Sequence, residues 1–119
     1  MKKRILIIDD DARNIFALTA TLKAKGYDVL SCTGAREALE LLEGDTIVDA
    51  ILIDMMMPEM DGYEAIPLIK ALPSRRDVPV VSVTAQAMVG DREKCLAAGA
   101  DEYISKPIDV DKLLAILGS

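Results

Sequence analysis

The chain has 119 residues, 51% of them hydrophobic and 29% charged, with a formal net charge of −6. That is the size and apolar content of one packed domain, which excludes a disordered chain, and the acidic balance excludes an overall pull toward nucleic acid. The absence of His, with only Cys32 and Cys95 and no CxxC pair, excludes a structural zinc site, and no apolar run reaches the length of a membrane span.

Aromatic residues are 3% of the chain, so the core must be aliphatic. Ile5-Leu6-Ile7-Ile8 is an unbroken apolar run, the pattern of a strand covered on both faces, and it stops at Asp9-Asp10-Asp11. The basic start Lys2-Lys3-Arg4 therefore does not lead into a signal peptide. Ile15, Leu18 and Leu22 follow at helical spacing, and Gly26 stands where that helix would end. Asp11 reads as the acid that starts the helix. Residues 27–31 predict a second strand, and 35–42 a helix ended by Glu43-Gly44. Residues 50–53 predict a third, fully apolar strand, terminated by Asp54. A helix over 62–72 is closed by Pro73. A strand over 78–83 ends at Thr84, and a helix over 91–98 ends at Gly99. A short strand over 103–105 precedes a helix capped by Asp109 and running to about Leu117.

Five strand–helix units in strict alternation predict an α/β fold: a five-stranded parallel sheet, doubly wound, with right-handed crossovers. One domain is expected to fill residues 1–119. Lys2, Lys3, Arg4, Arg75 and Arg76 read as solvated surface. Met55, Met56, Met57 and Met60 read as gap-filling side chains, and the cysteines as small apolar fillers, reduced in a cytosolic setting. Gly62 reads as a position that permits a tight backbone.

Open α/β sheets place their chemistry at the carboxyl ends of the strands. There the sequence puts Asp9 and Asp10, then Asp54, Thr84 and Lys106. Like charges about 4 Å apart repel by several kcal/mol at intermediate dielectric, so converging carboxylates call for a cation or a proton. Oxygen donors alone suit Mg²⁺. A carboxylate can also attack a phosphoryl group to give an acyl phosphate. Mg²⁺, Lys106 and the Thr84 hydroxyl would then each meet one phosphoryl oxygen, and the small Ala85 would leave room for the group to reach Asp54.

These residues sit in four motifs: Ile5-Leu6-Ile7-Ile8-Asp9-Asp10, Asp54 to Gly62, Val83-Thr84-Ala85, and Ala98 to Pro107. Together, in this order, they resemble the receiver (response-regulator) family of two-component systems over essentially the whole chain. The resemblance implies a flavodoxin-like (βα)5 fold, with Asp54 as phosphoacceptor. Asp10 would ligate Mg²⁺ directly, Asp9 directly or through water, and the Met56 backbone carbonyl would supply a further ligand. Mn²⁺ would substitute for Mg²⁺. Lys106 would contact the phosphoryl group, Thr84 and Tyr103 would form a switch pair, and the Lys106–Pro107 bond would be cis. The Met56 and Gln86 side chains would flank the site.

The same resemblance implies a histidine kinase or histidine phosphotransfer protein as donor, and a protein as the downstream target. It also implies, in some members, homodimers; the cytoplasmic location rests on the two isolated cysteines. Asp11-Ala12-Arg13-Asn14-Ile15-Phe16 is similar to the receivers of hybrid kinases. Two other classes fit the residues less well. A flavodoxin-like cofactor binder needs a phosphate-cradling first loop, and Asp9-Asp10-Asp11 would repel phosphate. A metal-dependent phosphatase using Asp54 needs an acid two residues on, where Met56 stands.

Overall fold

The computed structural model describes residues 2–85 and 90–118. Five strands form one parallel sheet, in the order β2-β1-β3-β4-β5. They are β1 (Arg4–Ile8), β2 (Asp28–Cys32), β3 (Ala50–Asp54), β4 (Val80–Thr84) and β5 (Glu102–Ser105). Between and after them lie α1 (Ala12–Ala24), α2 (Ala35–Glu43), α3 (Gly62–Ala71), α4 (Asp91–Ala97) and α5 (Val110–Leu117). A 3-10 turn (Pro73–Arg75) follows α3.

Strand alternation divides the apolar runs between two cores. Leu6, Ile8, Ile51 and Ile53 pack with Leu42 of α2, Ile66 and Ile69 of α3 and Cys95 of α4. Ile5, Ile7, Leu52, Val81 and Val83 pack on the other face with Leu22 of α1 and Leu113 of α5. Both faces are covered, which is why β3 and β4 are buried at every residue. The doubly wound fold expected from the alternation is the fold observed.

Caps set the helix starts. Asp11 accepts a hydrogen bond from the Arg13 N–H at the head of α1, and Asp109 from the Lys112 N–H at the head of α5. Asp61 and Glu64 form a reciprocal capping box on α3. Pro67 lies inside α3 on its exposed side, where its missing N–H costs the helix one bond.

Several expectations need correction. The second strand starts one residue late because the Tyr27 N–H is held by Leu22 O at the end of α1. The fourth begins at Val80, since the Val78 N–H closes a turn on Arg75 O and Pro79 has no donor. Arg75 is not solvated surface: it is only 5% exposed. Its Nε donates to Leu42 O and its Nη2 to Gly44 O, each at 2.9 Å, so it caps the carbonyl end of α2. Met56 is no gap filler: its side chain is exposed, whereas Met55 and Met57 are buried.

Candidate functional site

The carboxyl ends of β1 and β3, with the segment after β5, bring the expected acids and lysine together. One carboxylate oxygen from each of Asp9, Asp10 and Asp54 lies within 4.8 Å of the others. Asp9 and Asp54 are buried and Asp10 is exposed. Lys106 reaches over from the end of β5, its Nζ 3.4 Å from Asp54 Oδ2 and 3.8 Å from Asp9 Oδ2. The peptide bond after it is cis, as the resemblance implied. Its N–H donates to Thr84 O at 2.7 Å, extending the β4–β5 ladder and placing the lysine beside β4.

Each buried acid is aimed by local backbone. Asp54 Oδ1 accepts the Met56 N–H at 3.0 Å. Asp9 Oδ1 accepts the Asp11 N–H at 2.8 Å, and its Oδ2 receives a long bond from Asn14 Nδ2 at 3.5 Å. Burial pushes the Asp9 carboxyl up from its ordinary value of 3.8, and the neighbouring Asp54 charge adds to the rise. The Asp11 N–H, Lys106 and Asn14 oppose it. A buried acid held up in this way is relieved by a cation. Three carboxylates and no softer donor suit a hard, oxygen-seeking ion.

The loop between β3 and α3 is shaped tightly around the acid. Glu59 adopts a positive φ of 67°, and the Met60 N–H closes a turn onto Pro58 O. The Gly62 N–H donates back to Met55 O. A Cβ on Gly62 would collide with Met55 Sδ and come within 2.9 Å of Met55 Cα. The glycine is there for close approach of two backbones.

Thr84 is buried at the end of β4. Tyr103 pairs in register with Ser82, two residues before Thr84, so both side chains face the same side of the sheet. The Tyr103 hydroxyl is directed at Asp91 Oδ2, 3.5 Å away. Gln86 lies outside the described residues. Sequence reasoning assigned no role to Asn14, which bonds Asp9, or to Asp91, which meets both the Tyr63 and the Tyr103 hydroxyls. Spacing along the chain carries no signal for contacts such as Tyr63–Asp91, which span 28 residues.

A parallel sheet crowned at its carboxyl edge by clustered acids and one lysine is the frame of a phosphoryl-accepting signalling domain. The sequence model of the response regulator receiver domain matches residues 5–118, and the chain belongs to that family. Among curated relatives, the signal transduction histidine-protein kinase BarA of Shigella flexneri is 38% identical over 113 residues, 95% of this chain and 12% of the kinase. The polar-differentiation response regulator DivK of Brucella ovis is 34% identical over 119 residues, covering 100% of this chain and 96% of DivK. The chain thus spans a small part of the kinase and nearly all of the regulator. The receiver domain of the sensor histidine kinase PA1611 from Pseudomonas aeruginosa superposes with a TM-score of 0.89 at 37% identity, covering 98% of this chain and 95% of that one. That structure has a magnesium ion coordinated in its active-site cleft. Among the described residues, no helix is long and apolar enough to cross a membrane.

Proposed function

We propose that this receiver domain accepts a phosphoryl group onto Asp54 from a phosphohistidine, with Mg²⁺ bound by Asp9, Asp10, Asp54 and the Met56 carbonyl. The observation that carries the reading is the convergence of three carboxylates within 4.8 Å under a lysine that touches two of them. The donor is a histidine kinase or histidine phosphotransfer protein, and Mn²⁺ can replace Mg²⁺. The bound ion supplies positive charge that offsets the clustered acids and the incoming phosphoryl oxygens.

The chain's own residues do the rest. The Met56 N–H holds Asp54 in its rotamer, so the nucleophile loses little freedom on reaction. The Asp54 carboxylate attacks phosphorus, the phosphorus–nitrogen bond breaks, and the donor imidazole leaves with the electron pair and takes up a proton. Lys106 Nζ stabilises charge on the phosphoryl oxygens, and the buried Thr84 hydroxyl donates to another. Thr84 and Tyr103, on one face of the sheet, then act as the switch pair that changes the surface offered to a downstream protein, through contacts that can include a second copy of the chain. The buried, unpaired thiols of Cys32 and Cys95 suit a reducing, cytoplasmic setting. Burial pushes the Cys32 thiol up to about 12, which keeps it unreactive.

Intact mass after incubation with acetyl phosphate and Mg²⁺ tests the assignment. One phosphoryl group is gained by the parent chain, none by Asp54→Ala, and none in EDTA. Equal gain by the variant would remove Asp54 from the role.

A further inference from the structure

Two phenols converge on one carboxylate beside the proposed switch. Tyr63, in the first turn of α3, donates to Asp91 Oδ1 at 3.0 Å. Tyr103, on β5, is directed at the other oxygen, Asp91 Oδ2, at 3.5 Å. Asp91 is the first residue of α4. One turn further along α4, Cys95 is fully buried and its thiol faces the Tyr63 hydroxyl at 4.0 Å. Three elements, α3, α4 and β5, therefore meet at a single acid. The bond from Tyr63 to one oxygen orients the carboxylate, which presents its second oxygen to Tyr103. Burial pushes both phenols up, and the adjacent Asp91 adds to this, so both hydroxyls keep the proton they donate.

We propose that Asp91, oriented by Tyr63, is a positioning residue for the switch: it holds the Tyr103 hydroxyl against α4 and away from Thr84 while Asp54 is unphosphorylated. The proposal rests on the phosphoacceptor reading. Its physical content is a population shift. A bond made only in the resting arrangement lowers the apparent affinity for anything that favours the other arrangement, and removing the bond restores it.

Beryllofluoride, a stable mimic of the phosphoryl group, is the probe, with Mg²⁺ present and affinity read by fluorine NMR titration. Asp91→Asn keeps one acceptor for Tyr63 and puts an amide NH2 in place of the charged second oxygen, so the phenol–carboxylate contact of Tyr103 becomes at most a weaker neutral one. It is expected to tighten beryllofluoride binding by about threefold, near the low end of the net worth of a neutral hydrogen bond, because the Tyr103 contact is long at 3.5 Å. In a Tyr103→Phe background the same change should have no effect, because the donor is already gone. A merely structural role for Asp91 would weaken binding equally in both backgrounds, and that result overturns the proposal. So does an Asp91→Asn affinity equal to the parent's. Should Asp91→Asn fail to fold, Tyr63→Phe removes one hydroxyl and no charge, and is expected to shift binding in the same direction. Unchanged or weaker binding by that variant would equally sink the idea. A parent chain that takes up no beryllofluoride overturns the phosphoacceptor reading itself, and the switch role with it. A urea double-mutant cycle on Asp91→Asn and Tyr103→Phe without Mg²⁺ then still reports on the contact: additive losses mean that the two residues do not interact.

Discussion

Asp9 is where the cost of the site is concentrated. Its carboxyl is held above the ordinary value of 3.8 by burial and by Asp54. A group whose folded-state pKa is raised binds its proton more tightly in the native state than in the unfolded one. Stability from this residue is therefore present at low pH and is lost as pH rises from about 3.8 through the raised value. Asp9→Asn removes that loss. Without Mg²⁺, the difference in unfolding free energy between variant and parent should grow as pH climbs through that window and then level off, as read by urea melts at several pH values. A flat difference would mean that Asp9 carries no strain. Lys106 has the opposite character. Its ammonium sits 3.4 Å from Asp54 and 3.8 Å from Asp9, so it competes with a cation for the same acids. Lys106→Met should bind Mg²⁺ more tightly, yet slow phosphorylation by acetyl phosphate about a hundredfold, because one donor to the phosphoryl oxygens is gone. Calorimetry and mass kinetics read the two effects separately. A parallel fall in both would show that the lysine only supports the local fold.

Among the elements, Arg75 ties α2 to the turn after α3. Arg75 is buried with no carboxylate in its hydrogen bonds; it satisfies the last carbonyls of α2 instead, where the helix dipole favours a cation. Arg75→Ala leaves Leu42 O and Gly44 O without this donor and is expected to cost about 2–3 kcal/mol in urea denaturation. A loss within about 0.5 kcal/mol, the range of an ordinary surface change, would show that water replaces it. A second clip joins α3 to the segments that lead into β4 and β5: Lys70 Nζ donates to Val78 O at 2.9 Å and pairs with Asp101 at 2.7 Å. Asp101 Oδ2 also accepts the Val80 N–H at 2.8 Å. These bonds hold the β4–β5 half of the sheet, whose carboxyl ends carry Thr84 and lead into Lys106.

Across the whole molecule, metal binding and stability are one equilibrium. The site is assembled from β1, β3 and the end of β5, elements far apart in the chain, so an unfolded chain does not offer it. Mg²⁺ at a hundred times its Kd should stabilise the parent by about 2.7 kcal/mol, raising Tm by on the order of 10 °C. Differential scanning fluorimetry with and without EDTA reads this shift, and Asp54→Asn should lose most of it. An equal shift in that variant would place the ion elsewhere.

The apolar runs of β1, β3 and β4 and the positions of Asp9, Asp10, Asp54, Thr84 and Lys106 were legible in the chain. Strand burial and strand-end chemistry follow from the order of residue types, and Gly26, Gly44, Pro73, Gly99 and the Asp109 cap mark helix ends to within a residue or two. Arg75 looked like a solvated cation, and Asn14, Tyr63 and Asp91 carried no signal. Each acquires its role from a partner brought close by folding: Leu42 and Gly44 for Arg75, Asp9 for Asn14, and two phenols for Asp91. Local composition dictates which elements form, because propensity and periodicity act between near neighbours. Which polar group meets which depends on how the helices pack over the sheet, and that arrangement exists only once both cores have closed.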